Sequence, residues 1–464
     1  MKKNEYFKII QLSSFFLKNL SYAKYINFFN PLKLHPANLE NYLLKKKTNS
    51  FLIIKIYKYF SKFFFDYFKI QDYDLKKNSF KVIVFSNIIN FQKKYSIKND
   101  YYFGGISNKI IDGLVVYRNF TKFNSNTVKK KFLENNVIIL NQKNFFLNEI
   151  KYVFFFLIFY LNIKIKCITE KNNKKKLFLQ EASSFSNIAS CVTNLRILDQ
   201  FSKIINRYKP KKIIITYEGH SWEKIVIEYV KKNFPQIKIT GFQFSLLKKE
   251  DSILLMNLPK FFYPDEIFTV GNFNFNLLKK SRIFKNTQIS ILGSQKFCKP
   301  HKIKRFVKTC LVLTGLNKVD FYNLFYFTKQ MAISFKDFKF IFRMHPQSEF
   351  SNYFTNNPIL PKNMKISKAK INHDISKSFF AIHRSSTSIL TCLSKGMWPI
   401  FYDDKNINVN ILDSLSLNYT KIKKITDFNE IIHKKNFFIK NYFIIQKFIK
   451  NYYSPINLNL SIFK

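Results

Sequence analysis

Lys212-Ile213-Ile214-Ile215-Thr216-Tyr217 is a run of mostly β-branched residues, and Glu218-Gly219-His220-Ser221-Trp222-Glu223 follows it directly. A strand with one wet face alternates polar and apolar residues. This one does not, so it is expected to be buried on both faces, as in a parallel sheet covered by helices. From Ser221 to about Asn233 the chain reads as a helix. Strand, loop and helix in that order make half of a βαβ unit.

The same texture extends in both directions. Phe80–Phe85, Gly113–Tyr117, Val137–Leu140, Ile237–Phe242 and Glu266–Val270 read as strands, and residues 183–207 as a helix. Residues 294–307 are polar and basic with one proline, which suits a linker. Alternation then restarts with Cys310–Leu313, a helix over Phe321–Phe335, strands at Phe338–Met344, Phe379–Ile382 and Trp398–Tyr402, and a helix from Ser386 to Lys395. The expected fold is α/β, with two Rossmann-like domains facing a cleft. Residues 1–75 are expected to form a helical segment, 76–293 and 308–424 the two domains, and 425–464 helices packing back. Tyr152–Leu161 is the longest apolar run, about half the ~20 residues a membrane span needs. It reads as a buried helix or strand, with insertion at a membrane surface as the lesser reading.

Composition sets the outer limits. The chain has 464 residues, enough for two cores, and its 56 Phe and 26 Tyr make those cores aromatic. The formal net charge of +50 would suit an anionic partner. The excess is mostly lysine and is scattered along the whole chain, beside abundant Asn, Ile, Phe and Tyr. Compositional drift explains that better than a dedicated nucleic-acid footprint, which would cluster. An anionic membrane surface remains a compatible partner. Five widely spaced cysteines show no metal-ligand or redox spacing and fit a reducing cytoplasm. The N-terminus lacks the pattern of a signal peptide.

Ligands of parallel α/β sheets sit beyond the carboxyl ends of strands. Three segments qualify. Glu218 lies in a strand-to-helix loop, where a carboxylate can take a proton from an attacking hydroxyl; His220 can do the same or donate to a ligand. Gly219, one of nine glycines, suggests a backbone constraint. The blander reading has Glu218 or Ser221 capping the helix, Trp222 in the core and Glu223 stabilising the first helical turn. The second segment is Arg343-Met344-His345-Pro346, with Arg343 and His345 suited to a phosphate and Pro346 keeping His345 extended. The third is His383-Arg384-Ser385-Ser386-Thr387-Ser388, where hydroxyls and free N–H groups at a helix start would cup an anion, with Gly396 ending that helix. Asp403-Asp404 reads as a solvated turn rather than a metal site. Neither a Gly-rich nucleotide fingerprint nor a metal-ligand cluster is present.

An acidic residue before glycine, then His-Pro, then Ser-Ser-Thr resembles the metal-independent GT-B glycosyltransferases that include bacterial sialyltransferases, polysialyltransferases and capsule Kdo transferases. Glu218…Trp222-Glu223 with Gly241-Phe242-Gln243-Phe244-Ser245 is also similar to surface-carbohydrate biosynthesis proteins, except that Phe244 stands where they have histidine. The resemblance covers about residues 210–402. It implies Glu218 as general base, Arg343 and His345 on the donor phosphate, and Ser385, Ser386 and Thr387 on the leaving nucleotide. It further implies a nucleotide-sugar donor, with cytidine nucleotides the first to try, and a glycan or lipid-linked acceptor. No cofactor and no metal are expected, and the location is cytoplasmic or peripheral on the inner membrane face. A sugar-nucleotide epimerase or glycerophosphotransferase on the same fold, a basic nucleic-acid-binding protein and a non-catalytic scaffold are the competing readings.

Overall fold

The computed structural model of the chain describes residues 79–89, 94–121, 123–141, 146–173, 185–245, 260–285, 287–297, 305–315, 318–345, 359–384, 386–404 and 420–460, with isolated positions between them. The helical segment expected over 1–75, Pro346 and Ser385 lie outside these residues.

The described chain divides into two compact units at Gln295/Lys296, and residues 455–460 belong with the first. The N-terminal unit contains, in chain order, β1 (Val82–Ile88), β2 (Gly113–Asn119), α1 (Ser125–Lys129), β3 (Val137–Leu140), α2 (Phe146–Thr169), α3 (Phe185–Tyr208), β4 (Lys212–Thr216), α4 (Ser221–Asn233), β5 (Lys238–Gln243), β6 (Glu266–Thr269), α5 (Asn272–Lys280) and β7 (Gln288–Ile291). Its strands form one parallel sheet in the order β3-β2-β1-β4-β5-β6-β7. The C-terminal unit contains β8 (Thr309–Leu313), α6 (Lys318–Ser334), β9 (Lys339–Arg343), β10 (Met364–Ile366), α7 (Ile371–Lys377), β11 (Phe380–His383), α8 (Ile389–Ser394), β12 (Trp398–Tyr402), β13 (Thr420–Ile422), α9 (Asp427–His433) and α10 (Lys435–Tyr452). Its parallel sheet runs β10-β9-β8-β11-β12-β13.

Both orders start at a central strand, run outward one way, then reverse. The reversal leaves a crevice at the carboxyl ends of β1 and β4 in one unit, and of β8 and β11 in the other. The expectation of two Rossmann-like α/β units therefore holds. The continuous apolar runs found their cause in burial: Ile213, Ile214, Ile215, Leu311, Val312 and Phe340 are at most 1% exposed. Aromatic residues do much of the packing. Phe85 meets Phe201 and Trp222 at ring-centroid distances of 5.0 and 4.9 Å. Phe428 meets Phe335, Phe338 and Phe380 at 5.0 to 5.5 Å.

Three expectations change. The run Tyr152–Leu161 lies within a 24-residue helix, α2, whose outer side is not buried: Phe154, Ile158 and Leu161 are 63, 47 and 57% exposed. The inner side is held by Arg196 of α3, which donates from Nε and Nη2 to Glu149 at 2.5 and 2.7 Å. The helix expected from Ser386 starts at Ile389. Residues 425–453 form two helices that part at Lys434.

Candidate functional site

Beyond β4 the chain leaves the sheet through Glu218 and turns at Gly219, whose φ of 86° lies in the left-handed region where a side chain would be strained. Glu223, three residues into α4 and fully buried, organises this turn. Its carboxylate accepts from the backbone N–H groups of Glu218 at 3.0 Å, Gly219 at 2.8 Å and His220 at 2.9 Å. The reading of Glu223 as a first-turn stabiliser was thus too narrow: it satisfies the N-cap donor of His220 and two further donors of the loop. With the loop backbone fixed from below, Glu218 and His220 are left to face one another. His220 Nε2 lies 3.3 Å from Glu218 Oε2, and both side chains are about one quarter exposed, at 28 and 25%. A carboxylate beside an imidazole, open to solvent on a rigid loop, can accept a proton from an approaching hydroxyl.

Burial pushes the Glu223 carboxyl up to about 7; the charge of His220 and the loop N–H groups oppose the rise, and Glu218 adds to it. Its neighbour Lys224, also buried, is pushed down to about 7 by burial, with Glu223 opposing. The signs are opposite. Between its ordinary 4.5 and about 7, Glu223 keeps a proton in the fold that the unfolded chain has released, so stability falls as pH rises through that window. Between about 7 and the ordinary 10.5, Lys224 is neutral in the fold and charged when unfolded, so stability rises with pH. The pair places a stability minimum near neutrality. Lys224→Met is expected to flatten the alkaline limb; denaturant midpoints across pH, compared with wild type, check it, and an unchanged limb would refute it.

Further residues reach the same edge. Asp100, in the loop after β1, accepts from the N–H groups of Tyr102 and Phe103 at 2.7 and 2.8 Å, which sets the loop. Burial first and then the charge of Glu218 raise the hydroxyls of Tyr101 and Tyr102, so both lie within its field. Phe244 packs edge-on to Tyr102 at 4.4 Å, so an aromatic contact occupies the position where the resembled family has histidine. Arg118, near the end of β2, lies over Phe120 at 4.2 Å and is pushed down to about 10 by burial, with Tyr102 and Glu223 opposing. Sequence reading passed over Arg118. The available signal was rarity: arginine occurs seven times among 78 basic residues, and Arg118, Arg343 and Arg384 all stand at strand ends.

In the C-terminal unit β9 and β11 flank β8. Thr314, just past β8, accepts on Oγ1 from the N–H of His345 at 3.0 Å and donates its own N–H to Arg343 O at 3.2 Å. His345 is thereby pinned at the sheet edge, and burial holds its imidazole below the ordinary range. Arg343 Nη1 donates to Asp374 Oδ2 at 2.8 Å and to Ala369 O at 2.6 Å, so part of its guanidinium is already engaged.

Arg384 is fully buried. Its Nη2 lies 2.8 Å from Asp404 Oδ1, and Asn323 donates to Asp404 Oδ2 at 2.8 Å. Asp404 is therefore a buried tie and not a solvated turn. Ser386 is buried and Thr387 exposed; both precede α8, and their carbonyls accept from Ile389 and Leu390. Gly396 follows the helix with φ 79°. Among the described residues, no group of three or more His, Cys, Asp or Glu side chains gathers in a way that could hold a metal ion.

No protein-family model matches the chain. A curated relative, Protein Ycf2 of Physcomitrium patens, is 24% identical over 487 residues; the match takes in 92% of this chain and 20% of that protein. The chain thus spans about a fifth of the length of that relative. Among solved structures, the calicheamicin glycosyltransferase aligns at 10% identity with a TM-score of 0.48, over 80% of this chain and 94% of its own. A UDP-GlcNAc 2-epimerase from Methanocaldococcus jannaschii aligns at 10% with a TM-score of 0.43, over 76 and 91%. A glycosyltransferase from Streptomyces nogalater aligns at 9% with a TM-score of 0.38, over 81 and 96%.

Proposed function

We propose that the chain is a glycosyltransferase that moves a sugar from a nucleotide-activated donor to a glycan or lipid-linked acceptor in the building of a surface polysaccharide or lipopolysaccharide. The observation that carries the reading is the Glu218–His220 pair, held beyond the central strand of a parallel sheet by the buried Glu223. In the proposed reaction an acceptor hydroxyl gives its proton to Glu218 as its oxygen attacks the anomeric carbon. The bond from that carbon to the phosphate oxygen breaks, the electron pair leaves with the nucleotide, and the centre inverts. His220 orients the Glu218 carboxylate. The donor phosphate is assigned to His345, to the nitrogens of Arg343 not turned to Asp374, and to the backbone at Ser385, Ser386 and Thr387. Arg384 is assigned to holding that edge through Asp404. The setting is the cytoplasm, in keeping with the cysteines, of which Cys167, Cys310 and Cys392 are buried.

The test is product analysis with cytidine, uridine and guanosine diphospho- or monophospho-sugars, with and without oligosaccharide acceptors. One nucleotide class is expected to raise the melting temperature, and its release is expected to require acceptor. Conversion of the donor sugar with no acceptor present would replace this reading with an epimerase. Absence of any nucleotide-dependent shift would remove both.

A further inference from the structure

Helix α2 carries a ridge of exposed apolar side chains along its whole length. Leu147, Ile150, Phe154, Ile158, Leu161, Ile165 and Ile168 are between 40 and 77% exposed. Leu147, Phe154, Leu161 and Ile168 recur every seventh residue, and so do Ile158 and Ile165. At 3.6 residues per turn these seven fall within about 80° of arc, over a length of about 32 Å. The packed side of the helix, marked by Glu149, Ile163 and Cys167, lies nearly opposite. The ridge is therefore not the margin of a buried face. It is a second apolar face turned away from the unit's core, and a contiguous patch of this kind marks an interaction surface.

The rim of the ridge identifies its partner. Lys151, Lys164 and Lys166 are exposed and flank it on both sides. The one acidic residue of α2, Glu149, is 1% exposed and tied to Arg196, so nothing acidic on the helix offsets those lysines. Two copies meeting through this face would bring lysines against lysines. An apolar ridge between basic margins fits instead the boundary between the acyl chains and headgroups of an anionic bilayer, where apolar side chains enter and ammonium groups stay with phosphate. No helix among the described residues is long and apolar enough to cross a membrane, so α2 would lie along the surface. We propose that the outward face of α2 is a docking surface for an anionic lipid bilayer. This inference is independent of the reaction assigned above.

Sedimentation with vesicles tests it on the full chain. Vesicles of phosphatidylcholine mixed with phosphatidylglycerol are expected to bind the protein, and vesicles of phosphatidylcholine alone to bind it weakly. With a net charge of +50, attraction alone could produce binding, so the informative variant keeps every charge. Phe154→Ser/Ile158→Ser/Ile165→Ser is expected to weaken binding to the mixed vesicles at least about tenfold, with the melting temperature retained. Phe154→Trp alone is expected to show a blue-shifted emission on those vesicles. Undiminished binding by the triple variant would overturn the proposal, as would an indole at position 154 whose emission stays that of water. A wild-type dimer in solution that the triple variant abolishes would give the face to a second copy instead.

Discussion

Glu218→Gln is expected to lower turnover by about 10²–10⁴-fold while leaving nucleotide binding and stability close to wild type. The expectation rests on what the substitution does not disturb. The loop is held by backbone donors on Glu218, Gly219 and His220, all received by Glu223, and a glutamine at 218 keeps its own N–H. The side chain is one quarter exposed and makes no contact that the core depends on, so the stability change should stay within about 0.5 kcal/mol. What is lost is the proton acceptor. An amide can still meet His220, yet it cannot take a proton from a hydroxyl. Glu218→Asp draws the carboxylate back by one methylene and should fall between the two. Single-turnover rates at saturating donor separate chemistry from binding. Wild-type turnover in Glu218→Gln would remove Glu218 as the base and shift attention to His220.

Glu223→Ala sharpens the distinction between acting and positioning. It should also lower turnover, but through loss of the loop: three backbone N–H groups lose their acceptor, and Lys224 loses a charge that favours its protonated form.

The strands were legible because parallel strands buried on both faces must be apolar throughout. Lys212–Thr216, Val137–Leu140 and Trp398–Tyr402 show that without any structure. The edge strands β7, β10 and β13 were not, since each is three or four residues long with mixed burial and leaves little pattern to read. The loops were half legible. Glu218 and His220 could be placed because they follow a strand and precede a helix. The role of Glu223 could not, because three convergent N–H donors are a product of the turn at Gly219 and leave no trace in residue spacing. Arg384 and Asp404 are twenty residues apart on different strand ends, and only sheet order brings them together. The outer face of α2 misled for a simple reason. Phe, Ile and Leu normally signal a core, and here they line the exposed side of one helix.

The second large effect concerns that hidden pair. Asp404→Ala is expected to cost about 3–5 kcal/mol, because a fully buried guanidinium loses the carboxylate 2.8 Å from it. The damage should spread beyond one contact. Asp404 also receives Asn323 of α6, so it joins the ends of β11 and β12 to the helix that follows β8. Arg384→Met removes the buried cation instead, and Arg384→Met/Asp404→Leu removes both charges. Exchanging a buried ion pair for apolar side chains of similar volume is often close to neutral, so the double variant should recover most of the loss. The same variants decide between the two roles open to Arg384. If it holds the edge through Asp404, the double variant regains nucleotide-dependent stabilisation along with its fold. If it binds the donor phosphate, folding returns and the nucleotide response does not, because the methionine at 384 restores packing and supplies no charge. Denaturant unfolding with and without nucleotide, on the wild type and the three variants, reads the stability and the nucleotide response together.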